Sequence, residues 1–176
     1  NFKGRIDNLK LEDGGNIKAS ATVKGLVDVA RTRFDVNVER VDVSTSEFVR
    51  LLKNIARLKV PEKVSPYIER TDHLTLTGSF KGLISSFDAS GVARLKSGGV
   101  LTAQCNMRTE EEGRAVTAEM VAENLNISPL LASTKPLNTS FSDKGRANFG
   151  DLLSAEVVGK IDTLHFNSYN YRNISF

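Results

Sequence analysis

The chain has 176 residues, 40% hydrophobic and 26% charged, proportions that fit a folded domain and exclude a disordered one. Its net charge of +3 comes from 24 basic and 21 acidic residues. The two signs are interspersed, which argues against a nucleic-acid footprint. No apolar run approaches the roughly 20 residues of a helical membrane span, and no signal peptide is visible.

In chain order, Gly14 and Gly15 read as a turn. Residues 16–23 then alternate, with Ile17, Ala19, Ala21 and Val23 at the apolar positions. Alternation puts one row of side chains on each face of a strand. Lys24 to Ala30, with Gly25 inside it, reads as a hairpin connection into a second alternating strand carrying Phe34, Val36 and Val38. The phase then slips, because the next apolar residues are Val41 and Val43. A slip of one turns every later side chain to the other face unless a bulge absorbs it. The sequence therefore predicts a bulge or bend near Glu39 and Arg40.

Ser44 followed by Glu47 has the spacing of a capping box, in which each side chain satisfies a backbone N–H at a helix start. A helix is expected over 45–59. Phe48, Leu51, Leu52 and Ile55 would form its apolar face, with Arg50, Lys53, Asn54 and Arg57 opposite, and it would stop before Pro61. Arg50, Lys53, Arg57, Lys59 and Lys63 are the only basic concentration in the chain and read as a solvated helix face. This helix is expected to plug one end of an apolar sheet face. Lying on a membrane is the weaker reading, for the chain has no tryptophan.

The pattern repeats. Gly14 and Gly15 recur as Gly98 and Gly99, an offset of 84, and Ser44 falls on Ser128 at the same offset. Between them Ile17, Ala19, Ala21 and Val23 match Leu101, Ala103, Cys105 and Met107. Phe34, Val36 and Val38 match Ala118, Met120 and Ala122, and Val41 and Val43 match Leu125 and Ile127. Self-similarity at a fixed offset marks a repeat architecture. The second copy slips phase at the matching place, predicting a bulge near Glu123 and Asn124, and Arg108 to Arg114 reads as its hairpin connection. Ser128 before Pro129 is a helix start, expected to give a short helix near 129–133. The expectation is one mainly β domain of two related units. Residues 1–73 form the first; residues 74–176, with the short helix and C-terminal strands, form the second.

Catalytic chemistry is absent from the pattern. His73 and His165 lie in no metal-ligand spacing, and both read as solvent-facing. The glycine pairs precede alternating strands, so they are turns and not phosphate cradles. Glu110, Glu111 and Glu112 read as a solvated turn tip, and no nucleophile, base and orienter can be assembled. The single cysteine, Cys105, reads as a buried small hydrophobe and says nothing of compartment. The chain is expected to be no enzyme and to need neither metal nor cofactor. Starting at Asn1 and ending on Phe176, it reads as an excised or processed fragment.

The segments LTLTGSFKGLISSFDASGVARLKSGGVLTAQ and FNSYNYRNISF resemble repeats of the AsmA-like proteins, specifically the TamB (translocation and assembly module) branch in its Bacteroides-type form. The Phe-Lys-Gly steps at Phe80–Gly82 and Phe2–Gly4 and the run Phe166, Tyr169, Tyr171 into Asn173, Ile174 and Ser175 carry the resemblance. It covers most of the chain and rests on soft patterns. It implies an interior fragment of a periplasmic protein anchored in the inner membrane, with antiparallel sheet curled into an apolar trough (β-taco-like). It further implies phospholipid transport toward the outer membrane, support of outer-membrane biogenesis with a barrel partner, and adjacent repeats of the same chain as neighbours. The expected groove lining is Ile17, Ala19, Ala21, Val23, Phe34, Val36 and Val38 with Leu101, Ala103, Cys105, Met107, Ala118, Met120 and Ala122, meeting phospholipid acyl chains. Two rival readings use the same residues. One is a chaperone-like scaffold that takes up an outer-membrane strand at a sheet edge. The other is a closed β-sandwich adhesion module, because periodicity alone does not distinguish an apolar face that meets lipid from one that meets itself.

Overall fold

The computed structural model describes residues 1–11, 14–25, 28, 31–47, 50, 73–110, 113–128, 137–149, 153–166 and 168–176. Ten strands make up most of them: β1 (Phe2–Lys10), β2 (Asn16–Lys24), β3 (Arg33–Ser44), β4 (His73–Leu83), β5 (Ser86–Leu95), β6 (Val100–Glu110), β7 (Gly113–Asn126), β8 (Leu137–Phe149), β9 (Leu153–Phe166) and β10 (Tyr169–Ser175). They form one sheet in chain order, each strand antiparallel to the next. β1 and β10 are its two edges, so the sheet is open. The mainly β expectation holds, and the described residues contain almost no helix.

Both phase slips are absorbed by bulges where the sequence placed them. The β3–β4 register shifts between Val38 and Val41, leaving Glu39 and Arg40 as the irregularity. The β7–β8 register shifts between Ala122 and Leu125, around Glu123 and Asn124, and Asn124 has a φ of 46°. The extra residue restores parity. Val38, Val41 and Val43 therefore all face one side, where Val41, Val43 and Leu74 form a small core with Leu11, Ile17, Val38, Leu76 and Leu95 packed against it.

The turns repeat as well. Leu11 N–H donates to Gly15 O at 2.8 Å and Gly14 N–H to Leu11 O at 3.1 Å. Eighty-four residues later, Leu95 N–H donates to Gly99 O at 3.2 Å and Gly98 N–H to Leu95 O at 3.1 Å. Gly14, Gly98 and Gly99 sit at φ of 84°, 111° and 98°, where only glycine is free of Cβ strain. The strand registers do not repeat. Ala19 faces Val38, whereas Ala103 faces Met120 and not Ala122. A slide of two residues keeps every side chain on its face, so both registers satisfy the same pattern.

Several local readings change. The second hairpin connection is shorter than Arg108 to Arg114, because Thr109 pairs with Arg114 and Glu110 with Gly113. The ladder continues through polar residues since its bonds are made by backbone. In the first connection Thr32 is buried, its Oγ1 2.8 Å from the carbonyls of Gly25 and Asp28. Ser44 Oγ accepts the Glu47 N–H at 3.2 Å, the serine half of the expected capping box, and residues 45–47 and 50 are helical. The rest of the expected helix over 45–59, its stop at Pro61 and the short helix near 129–133 lie outside the described residues, as do Lys53, Arg57, Lys59 and Lys63.

Candidate functional site

The strand pairings align the apolar residues into rows that run from β1 to β9, the fourth reaching β10. One row runs Phe2, Val23, Phe34, Gly82, Phe87, Met107, Val116, Ala147, Ala155. The next runs Gly4, Ala21, Val36, Phe80, Ala89, Cys105, Ala118, Gly145, Val157. A third runs Ile6, Ala19, Val38, Gly78, Gly91, Ala103, Met120, Asp143, Gly159. A fourth runs Leu9, Ile17, Val41, Leu76, Ala93, Leu101, Ala122, Phe141, Ile161, Ile174. All fourteen residues read from the sequence as a common lining occupy these rows. With about 4.8 Å between strands, ten strands give a face roughly 43 Å across.

Side-chain size varies along the rows in a systematic way. On β5 and β6 the two middle rows carry only small residues, Ala89, Gly91, Ala103 and Cys105; on β7 and β8 they carry Ala118 and Gly145 together with Met120 and Asp143. The rows outside them carry Phe87, Met107, Val116 and Ala147 on one side and Ala93, Leu101, Ala122 and Phe141 on the other. On β5 and β6 small residues thus floor a short furrow, with Phe87 and Met107 along one side and Leu101 on the other. On β7–β9 lies a hollow of about 240 Å³ lined by Val116, Ala118, Met120, Asp143, Gly145, Arg146, Ala147, Ala155, Glu156 and Val157. At the β3–β5 end Phe80 packs against Phe87 and Phe34, with ring centroids 4.8 and 6.4 Å apart. Much of the face is uncovered: Phe2 and Val157 are each 57% exposed and Ile6 and Leu9 each 45%. Cys105 is half-buried on this face, less enclosed than the sequence implied, and burial pushes its thiol pKa up.

The opposite face is polar and largely pairs with itself. Arg108 meets Asp88 at 2.6 Å, Lys144 meets Glu119 at 2.5 Å and Arg146 meets Glu110 at 3.1 Å. Glu110 is therefore an ion-pair partner as well as a turn residue. A larger hollow, about 530 Å³, lies among Ser79, Lys81, Asp88, Ser90, Gln104, Asn106, Thr117 and Glu119 of this face. Its groups largely bond one another: Ser79 and Ser90 hydroxyls lie 3.0 Å apart, and Asn106 donates to Asp88 at 2.9 Å. Its lining mixes hydroxyl, amide and charged groups of β4 to β7.

The histidines behave structurally. His73 opens β4 as read, but its imidazole pairs with the Asp42 carboxylate. Hydrogen bonds from Arg40 and then His73 hold the Asp42 pKa below its ordinary value. His165 lies 2.6 Å from the Asn170 amide oxygen. Among the described residues there is no group of three or more metal-ligating side chains, and no helix long and apolar enough to cross a membrane.

Sequence reasoning missed Asp143. It occupies the third apolar row between Met120 and Gly159, and its Oδ1 is buried with no hydrogen-bond partner among the described residues. Its signal was the phase: Phe141, Asp143, Gly145 and Ala147 share one parity. Comparison with family models, curated proteins and solved structures finds no match for the chain.

Proposed function

We propose that the chain is an interior segment of an AsmA/TamB-like protein whose apolar sheet face carries phospholipid acyl chains between the inner and outer membranes. The observation that carries this reading is the continuity of four cross-strand apolar rows on an open sheet with large residues left exposed. Soluble monomers rarely expose contiguous apolar patches beyond about 300–600 Å² without an occupant. Acyl chains suit such a face because their burial is non-directional and is worth about 0.8 kcal/mol per methylene. The polar hollow is a poor alternative, since lipid there would desolvate Lys81, Asp88 and Glu119. Curling of the sheet into a trough, a periplasmic location, an inner-membrane anchor on the parent and a barrel partner in the outer membrane belong to the same proposal. In the parent, adjacent repeats would pair at β1 and β10.

The test is native mass spectrometry of the gently purified domain, with Ala103→Arg as the variant. Ala103 sits in the furrow floor between Gly91 and Met120. Co-purified phospholipid is expected with the wild type and strongly reduced with Ala103→Arg, while the β-sheet circular dichroism of the two matches. Absence of lipid from the wild type under every mild extraction sinks the reading.

The strand-addition reading keeps one observation of its own. Every residue of edge strand β10 is exposed, a template for an incoming strand. Co-purification of an outer-membrane barrel protein, lost on substituting proline at Tyr171, would favour it over a lipid role.

A further inference from the structure

Asp143 is the one charged side chain within the four apolar rows. Its cross-strand neighbours are Met120 and Gly159, and Phe141 and Gly145 flank it on the same face. The space above Gly159 is filled jointly by the Asp143 carboxylate and the Phe176 ring, and Phe176 is held there by paired 3.1 Å backbone bonds to Gly159. Among the described residues the buried Oδ1 has no hydrogen-bond partner, while Asp143 as a whole is half-buried. The cations nearest in sequence are engaged elsewhere: Lys144 with Glu119, Arg146 with Glu110 and Lys160 with Asp162. A buried carboxylate oxygen without a donor is costly, and a ligand that donates to the Asp143 carboxylate would relieve that cost.

The hollow of about 240 Å³ beside it supplies the second half of a site. Its lining, apart from Asp143, Arg146 and Glu156, is apolar. A ligand that fits both halves has a hydrocarbon chain and a cationic hydrogen-bond donor. The geometry points to a subsite for a phospholipid with a primary ammonium headgroup, the ammonium on Asp143 and the upper acyl chain in the hollow. This rests on the lipid-carrying reading above and adds headgroup selectivity to it. A primary ammonium donates directly to carboxylate, and a charge-assisted bond of this kind is the strong class.

The full chain is incubated with vesicles of equal parts phosphatidylethanolamine and phosphatidylglycerol, re-isolated, and its bound lipid identified by native mass spectrometry. The wild type is expected to be enriched in phosphatidylethanolamine by about tenfold, the scale of one charge-assisted hydrogen bond. Asp143→Asn is expected to take up lipid in the vesicle ratio. Equal headgroup ratios in wild type and variant refute the subsite while leaving acyl-chain binding standing. No lipid of either class in the wild type removes both. If Asp143→Asn does not fold, the wild type alone decides, with vesicles in which the phosphatidylethanolamine amine is acetylated. Retained preference for unmodified amine supports the subsite, and equal uptake of the two refutes it.

Discussion

Val38 and Val41 stand three positions apart on β3 yet face the same side of the sheet, Val38 opposite Gly78 and Val41 opposite Leu76. In an unbroken strand an odd separation puts side chains on opposite faces. Glu39 and Arg40 are the bulge that reconciles them. The apolar face continues into the core around Val43, which is fully buried, because of that one extra residue.

Deleting Arg40 is therefore expected to do far more damage than losing a surface arginine. It would turn Val41 and Val43 outward and Asp42 inward, or force β3 to slide. Exposing two buried valines costs about 3–5 kcal/mol. Urea unfolding should show the deletion midpoint collapse, whereas Arg40→Ala should shift it by no more than about 1 kcal/mol. Similar midpoints for the two would mean that the bulge does not set the phase.

The paired turn glycines should differ in tolerance. Gly98 and Gly99 both have positive φ, but a Cβ at Gly98 meets nothing within 4 Å, while one at Gly99 runs into the backbone of Asn124 and Leu125. Gly98→Ala is expected to cost about 1–2 kcal/mol from backbone strain alone. Gly99→Ala should cost at least about 3 kcal/mol, because β7 must also move. Thermal unfolding of the two variants side by side measures the difference, and Gly14→Ala, also in open space, should resemble Gly98→Ala.

Asp42 makes stability depend on pH in a defined direction. Its folded pKa is depressed below the ordinary 3.8 by Arg40 first and then His73. A group of this kind adds stability above its unfolded pKa and loses it as pH falls through the lower folded value. The stability gap between wild type and Asp42→Asn should be full above pH 3.8 and close progressively below it. Denaturant midpoints measured along an acid series give the answer, and a gap that widens on acidification would contradict the assignment.

Cys105 offers a native reporter of the apolar face. Burial raises its thiol pKa, so less thiolate is present at neutral pH and alkylation should be slower than for a free cysteine. The pH profile of the rate should be displaced upward. Added phospholipid vesicles are expected to slow the reaction further in the wild type, by at least about threefold, as acyl chains cover the furrow floor and exclude the reagent. An unchanged rate with lipid would place acyl chains elsewhere.

Much of the fold was legible in the residues. Alternation gave β2, β3, β6 and β7, and the slips from Val38 to Val41 and from Ala122 to Leu125 located both bulges, because a one-residue phase change has no other cheap resolution. The Gly14–Gly15 and Gly98–Gly99 turns were legible for the same local reason. The short hairpin at Glu110–Gly113 was not, since backbone pairing is indifferent to side-chain polarity. Asp143 was not legible either, since it stands between Ser142 and Lys144 and only its parity with Phe141 and Ala147 sets it apart.

The sequence by itself determined which side chains share a strand face and where that phase must be corrected, since both follow from the two-residue period of an extended chain. Only the tertiary structure decided which rows meet across the sheet. Sliding a strand by two residues leaves its pattern unchanged, so periodicity cannot choose between pairing Ala103 with Met120 or with Ala122. That choice, made by bonds between strands, sets Ala89, Gly91, Ala103 and Cys105 side by side as a furrow floor and places the Asp143 carboxylate beyond Met120 in the same row as Ala103.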